Sequence, residues 1–299
     1  MNGYFVTLKR NIKLFFKDKA MFLTSLITPA ILLVLYVTFL KNVYRDSFSS
    51  GLPAGLVSDK VINGLVGGQL ISSILAVSCV TVSFCSNFLM VQDKANGTIK
   101  DMRMSPVRST ALAMSYYAAS FVCTMIICLV SAGLCFAYVA SVGWYMTVSD
   151  ILLVLLDMLM LVLFGTALSS IINFFLSSQG QISAVGSIVS SGYGFICGAY
   201  MPIYSFGEGL RNAISLFPGT YGTSLLRKHT LRGAFEALES EGVPVEAVEE
   251  LKDIIDCNIY FFGNKVGQPV MYAVLIGSVA VLISVYVIMN VLKRKNEKN

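Results

Sequence analysis

Residues 90–108 read MVQDKANGTIKDMRMSPVR and lie between two apolar runs, roughly 67–91 and 112–141. A bare connector between two membrane helices needs only a few residues. This one is several times longer, and it is patterned. Gly97 and Pro106 break it, Thr98 is placed to cap a helix, and Ile99 and Met102 fall on one side of that helix, with Lys100, Asp101 and Arg103 elsewhere. The spacing predicts a short charged helix at a membrane surface. It reads either as a docking element for something in the water or as a solvated loop whose charges fix topology.

The rest of the chain supports the membrane setting. Its 299 residues are 56% hydrophobic and only 13% charged, with a mean hydropathy of +0.73, whereas a soluble domain carries about 25% charged residues. Six segments have roughly the 20 apolar residues that a bilayer crossing requires: 20–40, 67–91, 112–141, 151–176, 182–201 and 270–292. The fourth and fifth are separated only by SSQGQ and predict a tight hairpin. Lysine and arginine crowd the N-terminus (Lys9, Arg10, Lys13, Lys17, Lys19), the opening stretch and the C-terminus (Lys293, Arg294, Lys295, Lys298). Basic flanks mark the cytoplasmic side, so both termini are expected inside. The net charge of +5 is then a topology signal and not a nucleic-acid one. In residues 1–19, Phe5, Leu8, Ile12 and Phe15 recur at helical spacing while Lys9, Lys13 and Lys17 occupy another face. This predicts an interfacial amphipathic helix, or a basic flank that only fixes topology. No small-residue cleavage site follows the first apolar run at Lys41-Asn42, so that run is read as a retained span. Seven cysteines form no CxxC pair and read as small buried side chains.

Within the apolar segments, Gly186, Ser190, Gly194 and Gly198 recur every four residues. Such a stripe lets another helix approach closely, by packing within one subunit or at a subunit seam or substrate path. Asp157 is the only acidic residue deep inside a predicted span. It is expected to face protein or water, as a substrate or protonation site or as a hydrogen-bonded structural group. Residues 203–230 are apolar but broken by Gly207, Gly209, Pro218, Gly219 and Gly222. This composition predicts a re-entrant helical hairpin over 202–233, in which Arg211 pairs with Glu208 one turn earlier and His229 is interfacial. Residues 234–256 carry eight acidic side chains against Lys252 alone. They predict a solvated acidic cap over 234–269, with a helix starting at Pro244 and burying Val248, Leu251 and Ile255 beside Val245. That acidic face is either simply solvated or a recognition surface for a cationic substrate. The chain has no GxxxxGK[ST] loop and no HExxH or paired-Asp pattern.

Three stretches resemble the ABC type-2 exporter permeases. Residues 91–106 resemble the family's loop between the second and third spans, with a charged cluster, Gly-Thr-hydrophobic and then Ser-Pro. Gln92-Asp93-Lys94 stands where the family often has a Glu-Arg-Glu-like cluster. GAYMP (198–202) resembles the end of the fifth span, and LFPGTYGTSLLR (216–227) the family's Asn-Pro-x-x-Tyr…x-x-Arg region. The resemblance implies an all-α, six-span permease domain covering 1–299 in a bacterial inner membrane. Its implied partners are a second permease copy, identical or a paralogue, and a separate ATPase subunit that holds the ATP and Mg; it implies no cofactor on this chain and no nucleic acid. Residues 92–108 would be the coupling helix, with Asp93, Lys94, Gly97, Thr98, Ile99, Met102, Arg103 and Pro106 at the ATPase, where Ile99 and Met102 supply the anchor. Asp157, Gly186, Ser190, Gly194, Gly198 and Pro202 would lie on the substrate path or dimer seam. Glu208, Arg211, Pro218, Tyr221 and Arg227 would belong to a hairpin capping that path. The implied cargo is a hydrophobic drug, antibiotic peptide or lipid-like molecule moved outward. Alternatives are polysaccharide, lipid or ion export, or outside transport a membrane anchor or an intramembrane enzyme.

Overall fold

The computed structural model describes residues 2–51, 57–104 and 107–296, with the side chains of 2, 49–51, 103 and 294–296 left aside. In chain order the elements are α1 (Asn2–Lys17), α2 (Lys19–Leu35), a π-helical turn (Tyr36–Leu40), α3 (Lys41–Gly51), α4 (Asp59–Ala95), α5 (Thr98–Met104), α6 (Ser109–Val142), α7 (Val148–Phe175) and α8 (Gln179–Ile196). A 3-10 turn (Ile203–Ser205), α9 (Glu208–Ser215), α10 (Pro218–Ser240), α11 (Val245–Ile254), a two-stranded hairpin β1 (Tyr260–Phe261) and β2 (Asn264–Lys265), and α12 (Gln268–Asn296) complete the chain. Among the described residues, five stretches are long and apolar enough to cross a bilayer: Lys19–Phe48, α4, α6, α7 and Gln268–Lys293 of α12. The expected fifth segment, 182–201, forms the shorter α8. Its two glutamines and four serines make it less apolar than those windows. The small strand hairpin is an addition that no apolar alternation announced.

α4 is the axle of the bundle, and its whole apolar window is buried. It packs on α2, α6, α7, α8 and α10. Short side chains make this enclosure possible. A Cβ on Gly165 of α7 would lie 3.0 Å from the Cα of Val80 and 3.1 Å from the carbonyl oxygen of Cys79, so two backbones touch there. α1, α5 and the last turns of α12 lie at one end of the bundle, the basic end: Arg10 bonds Asp93 and the Lys293 ammonium sits over the Phe174 ring.

α1 forms as an amphipathic helix, but its inward face differs from the expected one. Thr7, Asn11 and Phe15 are buried while Phe5 is 59% exposed. The helix is docked on α6 and on Asp93, which turns Phe5 and Val6 outward and leaves Lys9, Lys13 and Lys17 exposed.

Region 202–233 is a helical hairpin with unequal arms, α9 and α10. α10 runs antiparallel along α7, with Phe217 on Phe164, Gly222 on Leu161, His229 on Asp157 and Arg232 on Asp150. Its tip therefore reaches about 24 Å along α7 from the start of that helix, at 1.5 Å per residue. Val248 and Ile255 of the acidic cap are buried as expected, whereas Val245 is exposed.

Candidate functional site

An open groove of about 990 Å³ separates α2 from α8, with Cys85, Phe88 and Gln92 of α4 as its floor. It runs from Asp18 to Leu40, about 33 Å of helix. The α2 wall is mostly apolar, with Ile27, Ile31 and Leu35 exposed, and Phe39 of the π-helical turn continues it. The α8 wall carries Ser183, Gly186, Ser187, Ser190 and Ser191. Ser183, Ser187 and Ser191 donate their protons to carbonyls one turn back, Ser191 to Ser187 at 2.7 Å. Those hydroxyls therefore turn acceptor lone pairs, rather than donors, toward the groove. With no charge at mid-height, the surface suits an apolar or amphipathic molecule.

The stripe of small residues splits in two. Gly186 and Ser190 line the groove. Gly194 instead makes room for the Tyr200 ring, which a Cβ would meet at 2.3 Å, and Gly198, at φ +74°, turns the chain back after α8. Pro202 opens the 3-10 turn that follows. The end of the groove away from the basic end is thus closed by the turn 197–205. Tyr36 in the π-helical turn donates to the Ala199 carbonyl at 3.1 Å, and Tyr200 to that of Ser190 at 3.3 Å. The wholly buried Arg227 donates to the Gly198 carbonyl and to Oδ2 of Asp256 at 3.1 Å. Asp256 also accepts the backbone N–H groups of Ile203 and Tyr204 at 2.5 and 3.0 Å. Burial pushes its carboxyl upward, and the Arg227 charge and those two donors draw it back.

Asp157 lies away from the groove, joining three helices. Its Oδ2 is 2.5 Å from Nδ1 of His229 on α10, and its Oδ1 accepts the Tyr272 hydroxyl of α12 at 2.5 Å. His229 is thus a core residue, 5% exposed, and not the interfacial one expected. The signal was its register: Tyr221, Leu225 and His229 recur every four residues on the buried stripe of α10, visible once 218–240 is taken as a single helix. Arg211 does not pair with Glu208. It donates to the carbonyls of Tyr204 and Phe206 and lies over the Tyr204 ring, because the 3-10 turn brings those acceptors to it while Glu208 stays exposed. Pro218 starts α10, and Tyr221 closes the α9–α10 turn through the Ser215 carbonyl at 2.6 Å.

At the basic end several of the expected coupling residues face inward. Asp93 accepts a two-pronged Arg10 at 2.6 and 3.0 Å and the Tyr116 hydroxyl at 2.6 Å. The Lys94 ammonium donates to the carbonyls of Asn173, Phe174 and Leu176, so a cation caps the C-terminus of α7. Ile99 is buried with Leu112, Ala113 and Tyr116, and Met102 is half-buried, its sulfur accepting from Tyr116. Neither is the outward anchor expected of it; both fasten α5 to the bundle. Lys100, Asp101 and Met104 are exposed instead, Met104 at 80%. Gly97, at φ +79°, makes the sharp turn that starts α5 at Thr98. The Arg103 side chain and Pro106 lie outside the described residues. All seven cysteines are buried and unpaired.

No curated protein matches the chain. The family described as ABC-2 type transporter matches residues 2–231, from α1 through the inward-facing part of α10. ABC-2 permease domains generally work with an ATPase subunit. A long-helix bundle with a wall-high groove, matched over that length, belongs to the ABC-2 type transporter family, and the chain is a permease of an ABC transporter.

Proposed function

We propose that the chain is the membrane subunit of an ATP-driven exporter in a bacterial inner membrane, carrying a hydrophobic or amphipathic substrate outward. The observation that carries this reading is the groove between α2 and α8, which is open along its length and apolar on one wall. α8 is the sixth crossing: its 18 residues give about 27 Å, against a hydrocarbon core of about 30 Å. The crowding of basic residues puts the end that holds both termini in the cytoplasm. The α9–α10 hairpin enters from the outer side and closes over the path. The bare walls of α2 and α8 suit a second permease copy, identical or a paralogue, whose own groove completes the conduit.

ATP and Mg belong to a separate ATPase. It grips the exposed side of α5 at Lys100, Asp101 and Met104. Motion of α5 passes through the buried Ile99 and the Asp93–Arg10 and Lys94–α7 ties into α1, α4, α6 and α7 together, as a rigid block. Ser190→Trp tests the reading, because it fills the groove without touching those ties. In nanodiscs with its ATPase, the variant should keep basal ATP hydrolysis and lose at least tenfold in export of a hydrophobic dye. Undiminished export would remove the groove from the path.

A further inference from the structure

We infer that Arg227 and Asp256 are positioning residues for export, a clamp that holds the turn 197–205 shut over the outer end of the groove and ties the acidic cap to substrate release. This inference rests on the export reading above.

Apart from the bond between the two side chains, every bond of the clamp ends on the backbone of that turn. Arg227 comes from α10 and takes the Gly198 carbonyl; Asp256 comes from beyond α11 and takes the N–H groups of Ile203 and Tyr204. The two side chains then bond each other at 3.1 Å. On the groove side, Tyr36 and Tyr200 hold the same turn and line the groove. The turn is therefore shared between the cavity and the cap. A π-helical turn at Tyr36–Leu40 lies beside it, and such single turns break helix regularity where movement or binding requires it.

Two features separate a clamp from a plain structural ion pair. Asp256 sits at φ +57° as the left-handed residue that ends α11, and this turn presents its carboxylate to three donors. The Nε of Arg227 is buried without an acceptor, although buried donors are nearly always paired. Asp256 lies outside the stretch matched by the family, 2–231, so this closure belongs to the chain's own cap.

The molecule carries its own reporters. Cys197 begins the turn and Cys257 follows Asp256, and they are 1% and 2% exposed. Burial pushes the Cys257 thiol up to about 12, so it is inert while the clamp is closed. The test is maleimide labelling of the transporter in nanodiscs with its ATPase, read at Cys197 and Cys257 by peptide mass spectrometry, with ATP hydrolysis measured in the same sample. Labelling should be slow at rest and at least tenfold faster during turnover. Asp256→Asn should label quickly with or without ATP, keep hydrolysis and lose export; Arg227→Lys, which keeps the charge but not the fork, should fall between. ATP hydrolysis at the ordinary rate with both thiols equally protected throughout overturns the clamp and leaves the export reading standing. A chain that supports no hydrolysis with its partner overturns both. Because the resting and turnover states of the unaltered protein decide the matter, the result stands even if a variant fails to fold.

Discussion

α2 and α4 are both apolar enough to cross a bilayer, yet 28% of the first apolar window is buried and 100% of the second. Equal apolarity therefore says nothing about which helix is enclosed. In a bilayer a bare aliphatic surface carries no penalty, so Leu23, Ile27, Ile31 and Val34 of α2 stand exposed. The enclosed helix is the one with short and polar side chains. Asn87 donates to the hydroxyls of Ser169 and Ser170 at 3.1 and 2.8 Å, and Ser83 bonds Thr166 at 3.3 Å. Short polar side chains let helices approach closely and bond one another, so between α2 and α4 it is the polar helix that is enclosed and the bulky aliphatic one that stays at the rim.

The largest effect should come from the polar group that joins most helices. Asp157→Leu strands His229 in the interior and takes the acceptor from the half-buried Tyr272. Removing one partner of a buried ion pair costs about 3–5 kcal/mol, against about 0.6 kcal/mol for an average interhelical hydrogen bond in a membrane. An SDS-titration unfolding assay should separate the two values, with Asp157→Asn, which keeps shape and hydrogen bonding, well below Asp157→Leu. Equal and small losses in both variants would mean that polarity at this depth is not what holds α7, α10 and α12 together.

Five of the six expected spans were legible because transfer to lipid depends on composition within a window. The tight turn after Phe175, the helix after Pro244 and the burial of the cysteines followed from local signals in the same way. What was not legible depends on distant residues. The face that α1 turns inward is set by Arg10 meeting Asp93, and the fate of His229 by Asp157. The closure of the groove depends on Asp256 reaching back to Arg227. Hydropathy cannot tell lipid from protein as a neighbour, so it missed that α4 is central and α2 peripheral. The glycines and serines of α4 held that information, and only the stripe on α8 was read for it. Even that stripe divided, because Gly194 answers to Tyr200 and not to a partner helix.

A smaller effect sharpens the contrast between rim and core. Gly165→Leu would drive a side chain into the backbone of Val80 and Cys79, which cannot yield as a flexible side chain does, and overpacking of this kind costs about 1–3 kcal/mol. Ile31→Ala on the bare face of α2 should change stability by less than about 0.5 kcal/mol in the same titration. A clear loss for Ile31→Ala in the assembled transporter, absent from the isolated chain, would identify α2 as covered by a partner.

The smallest effect concerns the exposed counterpart of Asp157, a carboxylate of the acidic cap. Glu249 is held by Lys252 at 2.8 Å and Lys265 at 3.1 Å, and these bonds lower its pKa to about 2. An unfolded glutamate titrates near 4.3. A depressed carboxyl stabilises fully above the unfolded value, so its contribution is present at pH 6 and lost as the pH falls from about 4 toward 2. The group is largely exposed, and screened surface pairs contribute about 0.2–1 kcal/mol. Hydrogen exchange in α11 should be slightly faster in Glu249→Gln than in the unaltered chain at pH 6. The difference should shrink in 0.5 M salt, a concentration at which the screening length falls to roughly 4 Å, and should vanish near pH 2. A difference that survives both acid and salt would trace the stabilisation to the Lys252 ammonium over the Phe235 ring, a contact that neither condition removes. The acidic cap would then be held by packing, as α4 is, and not by ion pairing.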